Sequence, residues 1–462
     1  MIKRKEPEKF KGKSSVVDMT KGSEFKLLIQ FTIPMLIGNI FQQFYNMVDS
    51  IIVGRVEGAN ALGAVGLVGG LLFLFFSLCL GLGAGIGILT AQYFGAGDEL
   101  AVKKTIGNAV YITITLGLCM GLICLFFADP VLKMMGTPAE SFQDARTYLR
   151  VVGGATVVVA SYNAVSSILR ALGDSKTPLI FLIFASFVNV ILDIVFVVGF
   201  RWGVLGVALA TVISQLVAAL GSIIYALKYN KYFRLTKDDR HLDEKIIKQS
   251  IRMGLPLALQ YSLIAISTVG LQRAVNQFGA KAMAAYTVTG RIEQIVQQPY
   301  NSMGTALATF VGQNAGAGNI ERIHSGRRKA TVTIGIISLA MTVIMYMAGE
   351  SIVKIFIGDA KVIKIAVKGL QITAPLYFFL GMIYVMRSTL NGVGDVGFAL
   401  LNGICEVICR IGIVALFIHF TTIGMWGIWW TNGLTWTIAG ILAMARVAFG
   451  KWKDNIGIRK VE

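Results

Sequence analysis

Two aspartates stand where a charge is hard to keep. Asp49 and Asp193 each fall inside a long apolar run. An ionisable group deep in a membrane-spanning segment is a functional residue by default, with a partner to be found. Tyr45 lies four residues before Asp49, and Asn189 four before Asp193, so on helices each pair shares one face. Carboxylates gathered with amide, hydroxyl and phenol oxygens can accept a proton, because burial and a second nearby carboxylate both disfavour the charged form. The same oxygens can hold sodium, with Asp49, Asn189, Asp193 and Thr211 as the candidate ligands. For Asp49 the competing reading is a cap at the end of its helix.

The second half of the chain carries different charges: Arg273, Arg291 with Glu293, Arg387, and Glu406 with Arg410. Glu406 precedes Arg410 by four in the favourable order, so an ion pair on one helix face is expected, with a substrate contact as the alternative. Arg291 and Glu293 read as an internal pair. Arg273 and Arg387 are expected near helix ends, where long basic side chains reach back to the interface. The run Gly81-Leu-Gly83-Ala-Gly85-Ile-Gly87 fails the dinucleotide spacing and follows no strand, so it reads as close helix packing. Gly12-Lys13-Ser14 lacks the first glycine of a phosphate loop. Cys79, Cys119, Cys124, Cys405 and Cys409 fall within apolar runs and imply no disulfide framework. His241, His324 and His419 lack metal spacing. No motif supports an enzyme, a cofactor or a nucleotide-driven pump.

The elements that must position these residues are membrane helices. Of the 462 residues 55% are hydrophobic and only 15% charged, and the mean hydropathy is +0.68. In a bilayer the backbone must satisfy its own hydrogen bonds, so each run of about 20 apolar residues reads as a spanning helix. Twelve are expected, near 26–53, 62–91, 104–128, 143–170, 178–200 and 204–227, then near 247–277, 283–312, 330–350, 364–390, 397–420 and 425–449. The formal charge of +18 is spread over loops rather than gathered as a nucleic-acid patch. Lys3 to Lys26, Lys103 and Lys104, Lys228 to Arg252, Arg322 to Lys329 and Arg446 to Lys460 fall on one side, which predicts that both termini are cytoplasmic. The first 25 residues have no apolar core, so no secretory signal is expected. Trp202, Trp426, Trp429, Trp430 and Trp436 read mostly as interfacial belts.

A shift of 221 residues brings the two halves into register. Gly58-Ala-Asn-Ala61 then meets Gly279-Ala-Lys-Ala282, Gln92 and Gly95-Ala-Gly97-Asp98 meet Gln313 and Gly316-Ala-Gly318-Asn319, and Gly173-Asp174 meets Gly394-Asp395. The expected fold class is therefore all-α integral membrane, with twelve transmembrane helices in two pseudo-symmetric six-helix lobes. The divisions are a tail (1–25), an N-lobe (26–228), a cytoplasmic linker (229–246), a C-lobe (247–449) and a second tail (450–462). Six helices per half relate the lobes by an axis along the membrane normal, and two lobes rocking about a shared cavity give alternating access. No channel-type filter loop is evident. On this frame Asp49, Asp193, Thr211 and Tyr148 reach similar depth in the outer half of the bilayer. Pro34 removes a backbone hydrogen bond in the helix that carries Asp49, so a bend there can couple protonation to cavity shape, or serve packing alone.

The segments Tyr45-Asn-Met-Val-Asp49-Ser-Ile-Ile-Val-Gly54, Leu169-Arg-Ala-Leu-Gly-Asp174 and Asn189-Val-Ile-Leu-Asp193 resemble the multidrug and toxic compound extrusion (MATE) family. The resemblance runs from about residue 20 to 450. It implies an antiporter that exports small cationic or amphipathic compounds in exchange for protons or sodium, acting as a monomer in the cytoplasmic membrane without nucleic acid. In the prokaryotic branch typified by DinF it places the cation site on Asp49, Tyr45, Tyr148, Asn163, Asn189, Asp193 and Thr211, and the helix-bending proline at Pro34. The branch typified by NorM carries acids on its seventh and tenth helices, where this chain reads Gln260-Tyr-Ser-Leu-Ile-Ala and Phe378-Phe-Leu-Gly-Met. Lipid-linked oligosaccharide flippases of the same superfamily are the alternative; those handling cell-wall precursors usually have extra helices and a strongly cationic cavity.

Overall fold

The computed structural model describes residues 16–456. Gly12-Lys13-Ser14 and the outer parts of both tails lie outside the described residues. Helices α1 (Glu24–Val56), α2 (Ala59–Gly95), α3 (Glu99–Phe126) and the short α4 (Ala128–Met134) lead into α5 (Ala139–Tyr148). A π-turn, Leu149–Gly153, joins α5 to α6 (Thr156–Ala171); α7 (Lys176–Asp193) runs into a second π-turn, Ile194–Gly199, before α8 (Gly203–Tyr229). After the linker come α9 (Glu244–Asn276), α10 (Ala280–Gly316), α11 (Ile320–Phe356), α12 (Ala360–Thr373), α13 (Tyr377–Gly392), α14 (Gly397–Phe420) and α15 (Trp426–Phe449).

Twelve rods result, six on each side of the linker, once α5–α6 and α12–α13 are each taken as one interrupted helix. The first of these is bent by 44°. Ten rods are apolar and long enough to cross a membrane, and the bent pair makes an eleventh. The remaining rod is α10, 37 residues long, whose hydropathy is lowered by Lys281, Arg291, Glu293 and the amides of Gln294, Gln297, Gln298 and Asn301. Those polar groups are tolerated where a helix faces protein or a wet cavity instead of lipid.

The repeat is written into the backbone. Gly58 and Gly279 (φ 88° and 81°), Gly97 and Gly318 (both 73°), Gly173 and Gly394 (86° and 88°) and Gly203 and Gly424 (57° and 62°) form pairs at the same shift. All lie in the left-handed region that a side chain resists, so glycine ends or opens the same helices in both halves.

The lobes meet through small residues. A Cβ on Gly81 would lie 2.3 Å from the Ala258 backbone, and one on Gly85 would lie 2.4 Å from the Gly254 nitrogen. The glycine run of α2 therefore lets α9 approach to backbone contact, as small residues four apart do in membranes. The reciprocal contact is α1 on α10, where Thr32 Oγ1 lies 3.6 Å from Met303 Sδ and Asn39 donates to Ser302 Oγ at 3.1 Å. Leu28 and Phe31 belong to the second half's core, whereas Gly38 abuts Leu179 of α7. Pro34 thus sits in the stretch of α1 that contacts both lobes, with Met35 and Asn39 beyond it still against the second and Gly38 against the first.

At the linker end the two halves are sealed by a reciprocal clasp. Gln92 Nε2 donates to the Gly392 carbonyl and Gln313 Nε2 to the Ala171 carbonyl, each at 2.8 Å. All four positions exchange under the repeat shift. Beside them Gly95 and Gly316 press on the Gln313 and Gln92 carbonyls so closely that an added Cβ would lie 1.8 Å away in either case. Met19 of the entering segment donates its N–H to Gln313 Oε1 at 2.7 Å.

Candidate functional site

Above this seal lies a cavity of about 930 Å³ whose walls come from both lobes. Asp49 lines it; Asp193 is fully buried behind it, 0% exposed, with Asn189 at 1%. The two carboxyl groups stand close enough to share a proton. Among the described residues, Asp49 Oδ1, both Asp193 oxygens and both polar atoms of Asn189 are buried without a hydrogen-bond partner. Orphaned buried polar atoms are rare and point to a functional role.

The groups around the pair are those expected at this depth. Tyr148 stands beside Thr211, whose hydroxyl donates to Val207 O at 3.0 Å, and within electrostatic reach of Asp49, Tyr45 and Asp193. Tyr45 lies beside Gln42 and Gln215. These two glutamines were not anticipated, although Gln215 follows Thr211 by one turn and Gln42 precedes Tyr45 by nearly one. Asn163 lines the cavity, but its amide donates to its own helix at Val159 O (2.8 Å) and meets neither acid. The two π-turns begin at the residues following Tyr148 and Asp193. Such turns rotate the side chains beyond them and recur at functional positions; no local sequence signal marks them here.

The second lobe departs from expectation in its charges. Glu406 does not pair with Arg410: its carboxylate takes Arg387 Nη1 at 3.2 Å across two helices, and Arg410 instead donates to Ser267 Oγ. Side chains four apart on a helix lose to partners on neighbouring helices when both point inward. Arg387 is accordingly no snorkelling residue, since its side chain is 11% exposed and lines the cavity. With its amide oxygen facing the guanidinium, Gln260 also accepts from Arg387, Nε at 3.2 Å and Nη1 at 2.6 Å. Glu293 has no ion pair with Arg291 among the described residues; it accepts from Thr373 Oγ1 at 2.8 Å. Neither Glu406 nor Arg410 lines the cavity. Trp429 and Trp436 are buried, not interfacial, at 0% and 5% exposed. The Trp429 indole lies against Gly369 and donates to Thr289 at 3.1 Å.

The repeat sharpens this contrast. The counterparts of Asp49, Asn189, Asp193, Thr211 and Tyr148 are Gly270, Arg410, Val414, Asn432 and Gly369. Where the first lobe has Asn189 beside two acids, the second has the Arg410 guanidinium within electrostatic reach of Glu293, and where it has Tyr148 the second has Gly369 covered by the Trp429 ring.

Two lobes around a cavity, sealed at one end and joined by a polar linker, define a multi-span membrane transporter. The chain belongs to the MATE family: the MatE family profile matches residues 34–195 and 256–416, once in each half. It is 28% identical over 418 residues to the probable multidrug resistance protein YoeA of Bacillus subtilis (strain 168), covering 89% of this chain and 90% of that protein. It is 23% identical to the multidrug export protein MepA of Staphylococcus aureus (strain bovine RF122 / ET3-1), covering 92% and 93%. A solved multidrug resistance MATE family transporter of the MOP superfamily, in its outward-facing conformation, superposes with a TM-score of 0.89 at 24% identity, covering 96% of this chain and all of that one. A MOP superfamily transporter from Pyrococcus furiosus Vc1 (DSM3638), described as having a binding pocket of reversed polarity, gives 0.89 at 25%, covering 96% and 100%.

Proposed function

We propose that this protein is a secondary active efflux transporter of the cytoplasmic membrane that exchanges external protons for small cationic or amphipathic compounds. The observation that carries the reading is the pair Asp49 and Asp193, facing each other with unpartnered oxygens beside the cavity. One proton turns an acceptor into a donor and relieves both groups, whereas two bare carboxylates in a dry site repel. Protonation from outside then favours one arrangement of the N-lobe and release to the inside favours the other. The lobes rock about the cavity, with both termini and the linker on the cytoplasmic side. The protein acts as a monomer and needs no resident cofactor.

Sodium held by Asp49, Asn189, Asp193 and Thr211 is the competing coupling ion, and gradients applied singly decide between them. Proteoliposomes loaded with a cationic dye should lose it when a proton gradient is imposed and keep it under sodium alone. Asp193→Asn and Asp49→Asn should abolish driven efflux while the protein still inserts. Dye loss at equal rate without any gradient, or unimpaired efflux by Asp193→Asn, removes the exchange reading. The flippase alternative is favoured by one feature, the Arg170 and Arg387 guanidiniums in the cavity wall. Movement of a labelled lipid-linked sugar in vesicles that lack both gradients would support it.

A further inference from the structure

The floor of the cavity carries a charge that proton exchange does not use. Arg170, in the last turn of α6, lines the cavity next to Ala171, whose carbonyl is held by the clasp. One of its N–H groups goes to Ser167 Oγ at 3.0 Å, and no carboxylate among the described residues pairs with it. Arg387 stands on the same wall but is answered by Glu406 and Gln260. Asp49 is the one acid lining this space among the described residues. It is not among the groups that act electrostatically on Arg170.

Around Arg170 the surface is aromatic and polar. The Tyr162 and Tyr261 phenols lie within its electrostatic reach. Tyr261 also neighbours Tyr384, over whose ring Arg387 sits at 5.6 Å. Asn391, on the same wall, has a buried carbonyl oxygen without a partner. An unpaired guanidinium within a membrane protein marks a substrate path, and its planar fork matches a carboxylate or phosphate.

We infer that Arg170, with Tyr162 and Tyr261, forms an anion-accepting subsite, so that the preferred cargo is an amphipath carrying a carboxylate or phosphate, zwitterions included. The assignment rests on the efflux reading and narrows its substrate class. A purely cationic compound would have to place its charge elsewhere, whereas a zwitterion can seat its anion on Arg170 and its ring system among the phenols. The anion then rests on the residue before Ala171, directly above the clasp.

A matched dye pair tests this. Full-length protein in phosphatidylcholine nanodiscs is titrated against rhodamine B, which has a free carboxylate, and against its ethyl ester, with fluorescence polarisation as the readout. The wild type should prefer the carboxylate form by about tenfold, the size of a charge-assisted hydrogen bond. Arg170→Gln should erase that preference and Arg170→Lys should keep part of it. Helical circular dichroism and residual ester binding report whether each variant is folded. Equal preference in wild type and Arg170→Gln, or a wild type that favours the ester, overturns the subsite.

Phosphatidylglycerol added to the discs separates the two sources of such an anion. If it displaces the carboxylate dye from wild type and not from Arg170→Gln, a lipid headgroup is the source; if it displaces nothing, a free amphipath is. Equal displacement from both proteins counts against the subsite. Gradient-driven efflux of the ester is scored separately. Its absence removes the exchange reading alone, and its presence without any charge preference removes the subsite alone.

Discussion

Arg387 shows how a single side chain's role is decided by partners that a linear reading cannot see. Its guanidinium is fixed by Glu406 and Gln260 from two other helices. Glu406→Gln should leave a neutral acceptor and one uncompensated charge, with a loss of about 1.5–3 kcal/mol in stability, since hydrogen bonds to charged groups lie in that range. A thermal unfolding midpoint equal to wild type would show the pair to be energetically idle. Efflux should suffer less than in Asp193→Asn, whose side chain is part of the acid pair. Proton release on dye binding should vanish in Asp49→Asn and persist in Glu406→Gln, measured with a pH-indicator dye in weak buffer. The acids themselves were legible because a carboxylate in an apolar run is conspicuous wherever its neighbours stand. Gln42 and Gln215 were not, because an amide in a membrane helix has many ordinary uses and only the fold places these two at Tyr45.

At the scale of elements, helix count and repeat were readable because hydropathy and the 221-residue shift are properties of the chain alone. The π-turns after Tyr148 and Asp193, and the contact of α1 with both lobes around Pro34, arise from packing and leave no local mark. The α2–α10 crossing lies between these cases: its glycines are visible as repeats, but their contact is not. Gly95→Val should drive a side chain into the Gln313 carbonyl and hold the linker end apart. In a background freed of the native cysteines, a thiol at Ser167→Cys should then react with a membrane-impermeant reagent from the linker side, while the Gly95 parent stays protected. Equal labelling in both would mean that the crossing yields without opening.

For the whole molecule, one symmetric clasp and one asymmetric acid site divide the labour. Gln92→Ala removes one hydrogen bond of the clasp and should destabilise the sealed state by about 1 kcal/mol, whereas Gln313→Ala also removes the acceptor of the Met19 N–H and should cost about twice that. The double variant should lose about the sum, read from the same labelling equilibrium. A first substitution that releases the end completely would show that the halves do not share the load. The clasp is also built without a single ionised group: amides, main-chain carbonyls and glycines meet there. Membrane potential acts on moving charge at about 2.3 kcal/mol per elementary charge per 100 mV, and these parts move none. Voltage therefore has no direct hold on these hydrogen bonds; on the exchange reading, electrical sensitivity would enter through charges outside the clasp, those of the acid pair, of Arg170 beside the clasp and of the cargo.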